Sequence, residues 1–130
     1  MSDRLKDYQR IALDSYETFL HSYRTAGEST PGTRQASRDA FEACTQASFG
    51  FRVPYYAPAA LTESDVPVVC LRIPTGGGKT LIGGHAIQRV KQTLLPTTHS
   101  LTIWLVPSDA IRTQTLRMLR TPGELLHDEL

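Results

Sequence analysis

The chain has 130 residues, of which 40% are hydrophobic and 21% charged, with a formal net charge of +1. That composition fits a soluble globular protein of at most one domain, long enough to bury a core, and argues against disorder as the default. Residues 1–66 carry seven Lys/Arg against nine Asp/Glu and residues 67–130 seven against four, a tilt from −2 to +3 that is compatible with a polyanion partner for the second half but is no signature of one.

In chain order, "RLKDYQRIALDSYETFLHSY" places Leu5, Tyr8, Ile11, Ala12, Tyr16, Phe19, Leu20 and Tyr23 at spacings of three and four, predicting an amphipathic helix. "RTAGESTPGTRQA" is dense in Gly, Ser, Thr and Pro and reads as a loop. "SRDAFEACTQASF" predicts a short helix capped by Ser37. "GFRVPYYAPAALTESDVP" is irregular and punctuated by proline. From Pro67 the character changes. "VVCLRI" and "LTIWLV" are short apolar runs that read as strands, and "KTLIGGHAIQRVKQTLL" between them suits a helix. "PSDAIRTQTLRMLRT" predicts a second helix capped by Ser108 or Asp109. The order strand–helix–strand–helix predicts an α/β fold, in which a parallel sheet covered on both faces would explain the unbroken apolar runs. The expected division is residues 1–66, a helix with a loop-rich insertion, and residues 67–130, the start of a nucleotide-binding domain.

The densest chemistry is "IPTGGGKT", residues 73–80. A glycine-rich turn between an apolar run and a helix lets backbone N–H groups approach an anion closely, and the helix N-terminus adds unpaired N–H groups and the positive end of its dipole. Lys79 is placed to reach the β- and γ-phosphates of a nucleotide and Thr80 to ligate Mg²⁺. The strict pattern GxxxxGK[ST] is met at Gly78, Lys79 and Thr80, but its first glycine falls on Ile73.

That departure carries a resemblance. "PTGGGKT" is similar to motif I of superfamily-2 DEAD/DEAH-type helicases and translocases, where the first glycine is commonly replaced. "LKDYQRIAL" resembles the upstream segment whose glutamine reads adenine, and "LTIWLVPSDAIRTQTLRML" resembles motif Ia, which touches a nucleic-acid backbone. The resemblance covers residues 4–20 and 67–120 and is closest to the Res (helicase) subunit of type III restriction enzymes. It implies a RecA-like P-loop domain, ATP and Mg²⁺ as cofactors, a nucleic-acid track (double-stranded DNA), a modification or specificity subunit as partner, and a cytoplasmic setting.

Carried over by residue, Lys79 is the catalytic candidate on the β/γ-phosphates. Pro74, Thr75, Gly76, Gly77 and Gly78 form the cradle, and Thr80 is the metal ligand. Gln9 is the adenine reader or, in the plainer reading, an exposed polar residue on the first helix. Seventy positions separate it from Lys79. Pro107, Ser108 and Arg112 are the candidates for strand phosphates, although Arg112 and Arg117 read equally as a solvated helix face.

Hydrolysis in this superfamily also requires an Asp-Glu strand-end motif and arginine fingers. Asp128-Glu129 follows "GELLH" rather than an apolar strand and reads as a helical tail. The expectation is an N-terminal piece of a larger motor whose second strand leaves an unpaired edge. The alternatives are another P-loop NTPase, or a fragment that binds nucleotide without turnover. Cys44 and Cys70 show neither metal-ligand nor CxxC spacing and read as reduced thiols, and His85 reads as packing or surface. The final "HDEL" matches an endoplasmic-reticulum retention signal, but with no apolar leader to admit the chain it reads as coincidence.

Overall fold

The computed structural model describes residues 5–29, 34–57, 66–95, 97, 99–124 and 127. They form two compact units, Met1–Arg72 and Ile73–Leu130, and four helices: α1 (Asp7–Ser29), α2 (Arg34–Phe49), α3 (Lys79–Thr93) and α4 (Asp109–Arg120). No described residue is in a β-strand.

The first unit is an antiparallel helical hairpin. Leu13, Phe19 and Leu20 of α1 and Ala36, Ala40 and Cys44 of α2 are buried, their spacing giving each helix one apolar stripe. Small residues on α2 let the helices approach, and Phe19 meets Phe41 edge-on with ring centroids 6.4 Å apart. Cys44 Sγ donates to the Ser15 carbonyl at 3.1 Å, and burial pushes its thiol pKa above the ordinary range. The buried stripe is rotated from the expected one: Leu13 is fully buried, whereas Ile11 is 64% exposed.

The expected loop at "RTAGESTPGTRQA" is corrected, because α1 runs through to Ser29 and α2 begins at Arg34. Thr25 satisfies its hydroxyl by donating to the His21 carbonyl at 3.1 Å, and packing against the second helix overrides the weak propensities of Gly, Ser and Thr. Ser37 is correspondingly buried inside α2 rather than capping it. Beyond α2 the chain carries no regular element over residues 50–57 and 66–67, as expected. Phe41 packs on Tyr55 with centroids 5.5 Å apart, and the Tyr55 hydroxyl accepts the Val68 N–H at 2.9 Å. That bond ties the start of the apolar run to the hairpin's unit.

The predicted α/β RecA-like parallel sheet is contradicted. Its two helices form close to their expected bounds, as α3 and α4, but residues 68–73 and 101–106 carry no strand pattern. An unbroken apolar run becomes a central strand only where neighbours bond both edges and layers cover both faces. Here the two runs alternate instead. Val69, Leu71 and Ile73 are half-buried while Cys70 and Arg72 are exposed. Leu101, Ile103 and Leu105 are 89%, 76% and 87% exposed while Trp104 and Val106 are half-buried. Each run covers one side only. In the second unit Trp104 lies on α3 at Gly83, where an added Cβ would meet its ring at 3.0 Å. Ile82 is that unit's buried apolar residue among those described.

Candidate phosphate-binding loop

The loop before α3 is shaped from its first residues. Proline fixes its own φ and holds the preceding residue in an extended conformation, so Ile73-Pro74 is a stiff entry. The Gly77 N–H donates to the Pro74 carbonyl at 3.0 Å, closing a four-residue turn over Thr75 and Gly76. Gly76 has φ +76°, the positive φ that the third position of a type II turn demands. Gly78 follows at φ 76°, ψ 39° as the N-cap of α3. Gly77 is buried between them. A Cβ there would stand 2.6 Å from Ile73 Cγ2 and 2.8 Å from the Pro74 carbonyl oxygen, so no side chain fits.

The first helical bond of α3 runs from Ile82 N–H to the Gly78 carbonyl at 3.0 Å. The N–H groups of Lys79, Thr80 and Leu81 precede it, and no side chain caps this end. They carry the partial positive charge of the helix terminus. Lys79 folds back so that its Nζ donates to the Pro74 carbonyl at 3.0 Å. Pro74 therefore accepts both the turn bond and the lysine, and the ammonium stands beside the turn. Thr80 is half-buried on the first turn of α3. Backbone donors, a cation and a hydroxyl are thus brought together within residues 74–80.

Those residues fit a polyphosphate chain. The missing Cβ at Gly77 lets the turn close against Ile73 and Pro74, and the uncapped helix end offers donors. Among the described residues no cluster of three His, Cys, Asp or Glu is poised for a metal. Magnesium, if bound, would take the Thr80 hydroxyl together with phosphate oxygens, as is usual for this ion.

The other predicted site residues belong to other segments of the chain. Pro107 and Ser108 precede α4 and are exposed. Ser108 is its N-cap, accepting the Ile111 N–H at 3.4 Å, as one of the two expected caps. Arg112 is exposed on the first turn of α4, its Nε donating to Asp109 at 3.0 Å. An ion pair this exposed adds little to stability.

Gln9 belongs to the first unit and is only 5% exposed. Its Oε1 accepts the Lys6 N–H at 2.9 Å, while its own N–H donates to the Lys6 carbonyl at 2.9 Å. This is the glutamine half of a capping box, with Lys6 at the cap and Gln9 at the third helical position; a lysine side chain has no acceptor for the other half, and the Lys6 carbonyl takes the Gln9 N–H instead. The plainer sequence reading, an exposed polar residue, is therefore corrected. The signal for the cap was present, since a Gln three residues after a helix start is a capping pattern, but Lys6 is not the usual Ser or Thr. Asp128 and Glu129 lie outside the described residues. His85 is half-buried within α3.

No helix among the described residues is long and apolar enough to cross a membrane. No protein-family model, curated protein or solved structure matches the chain.

Proposed function

We propose that residues 74–80 bind the triphosphate of ATP with Mg²⁺, as the nucleotide site of a nucleic-acid helicase or translocase of the kind that the Res subunit of type III restriction enzymes represents. The observation that carries the reading is the convergence on one turn. Gly77 has no room for a side chain, α3 begins without a cap, and Lys79 Nζ is held at the Pro74 carbonyl. In this reading Lys79 leaves that carbonyl to meet the β- and γ-phosphates, exchanging a neutral acceptor for a charged one and gaining a stronger bond. Gly76 and Gly78, with the first residues of α3, supply backbone N–H groups, and Thr80 takes one position on the metal. Bound magnesium would draw charge from the phosphate oxygens. Gln9 remains the adenine-reading candidate of the resemblance, on condition that its carboxamide leaves the α1 cap.

Pro107, Ser108 and Arg112 would meet the backbone phosphates of double-stranded DNA. The Ser108 hydroxyl accepts one bond but keeps a proton to donate. The cytoplasm, and a modification or specificity subunit as partner, follow from the same resemblance. A nucleotide-binding chain without turnover is the second reading.

The test is calorimetric titration of the 130-residue chain with MgATP. Lys79→Ala removes a charge-assisted contact and should weaken binding by about tenfold or more. Equal affinity in wild type and variant, or no binding by either, would remove the assignment.

A further inference from the structure

The residue that breaks the strict glycine pattern has a position in the loop that the pattern does not anticipate. Ile73 Cγ2 occupies the space beside Gly77, 2.6 Å from where a Cβ on that glycine would stand. Gly77 is buried and Ile73 half-buried, so the contact is sheltered. We propose that Ile73 is a positioning residue, its γ-methyl forming the floor on which the Gly77 peptide rests and so holding the cradle in its phosphate-ready shape. The proposal rests on the phosphate reading of residues 74–80.

Three consecutive glycines have more backbone freedom to lose than any other tripeptide. Left alone, Gly76 to Gly78 would sample many shapes, and each binding event would bear the cost of ordering them. The turn bond from Gly77 N–H to the Pro74 carbonyl, 3.0 Å, restrains one side of the middle glycine. Ile73 restrains the other. Isoleucine suits the task because its β-branch limits χ1 and the proline after it limits its backbone, giving a rigid wall against a pliant strip.

Glycine or alanine at 73 would leave the turn bond in place but remove the wall. Restoring the glycine that the strict pattern asks for should therefore weaken binding in this chain, whereas a motif-matching argument expects it to be neutral or helpful.

The experiment titrates MgATP and inorganic tripolyphosphate into wild type, Ile73→Gly, Ile73→Ala, Ile73→Val and Lys79→Ala chains, below their melting temperatures as read by circular dichroism. Ile73→Gly and Ile73→Ala should each lose about fivefold or more in affinity, equally for both ligands, because the lost preorganisation concerns the phosphate cradle. Ile73→Val keeps both γ-carbons and should recover most of what Ile73→Ala loses. A purely structural role would lower the melting temperature without this graded affinity change. If Ile73→Gly melts too low to titrate, the alanine and valine pair decides.

Ile73→Gly or Ile73→Ala binding as tightly as wild type, while Lys79→Ala fails to bind, would overturn this inference and leave the phosphate reading standing. Unchanged binding in Lys79→Ala, or none in wild type, would overturn both.

Discussion

Glycines in the second unit are required for two different reasons, and substitution separates them. Gly76 and Gly78 have open space or backbone geometry in common with many turns, and what excludes side chains there is a positive φ of 76°. Gly83 sits in helical α3, where alanine is ordinarily better by about 1 kcal/mol. Its added Cβ would meet Trp104 Cη2 at 3.0 Å and Cζ2 at 3.2 Å, and overpacking of this kind costs about 1–3 kcal/mol. The packing cost exceeds the propensity gain, so Gly83→Ala should destabilise the second unit by up to about 2 kcal/mol. Trp104 is the single tryptophan, so its fluorescence reports this site alone. The indole should move toward solvent, with a red-shifted emission and a lower midpoint in urea. A variant at least as stable as wild type with unchanged emission would mean that the ring does not lie on Gly83 in solution. The Lys79 and Ile73 substitutions address the neighbouring turn through its ligand, whereas this one addresses how the half-buried side of the 101–106 run is held.

At the scale of elements, α3 and α4 were legible because each joins a start signal to apolar spacing, down to Ser108 as the α4 cap. The α1–α2 hairpin was legible as two helices but not in its extent or register. Gly27, Thr25 and the serines argue locally for a loop, and only the facing helix makes continuation favourable. Leu13 directly follows Ile11 and Ala12, which the expected stripe used in its place, and stands three and seven residues before Tyr16 and Leu20; of the three adjacent residues it is the one fully buried. Gln9 shows why a site residue can be read two ways. Its spacing from Lys6 is that of a cap and its sequence context resembles an adenine reader, and both uses need the same carboxamide. Gln9→Ala removes the acceptor for Lys6 N–H and should cost the hairpin about 1 kcal/mol. Gln9→Glu preserves an acceptor at that position and should restore most of the lost melting temperature. If adenine is also read there, both substitutions should lower the preference for ATP over GTP, because a carboxylate has no amide N–H to offer. Equal melting of Gln9→Ala and wild type would argue that the cap contributes nothing.

For the whole molecule, composition argued against disorder but could not settle the fold class, because two apolar hexapeptides look alike whether they pair in a sheet or lie singly against a helix. Nothing in "LTIWLV" marks which side is covered, since five of its six residues are apolar. Leu101, Ile103 and Leu105 share one side and are largely exposed, while Trp104 and Val106 occupy the other. Such a run leaves a concentrated apolar row on the surface, β-prone and uncharged from Leu101 to Val106, which is the composition that drives chains to associate. Residues this exposed contribute little to stability, so charging them should alter solubility and not folding. The double variant Leu101→Lys, Leu105→Lys should therefore keep a stability within about 1 kcal/mol of wild type, and it should scatter less light at high protein concentration. The same variant leaves Trp104 and the loop at residues 74–80 untouched, so MgATP affinity serves as an internal control. Loss of cooperative melting in the double variant would show that Leu101 and Leu105 are buried in the folded protein and that the run is covered on both sides after all.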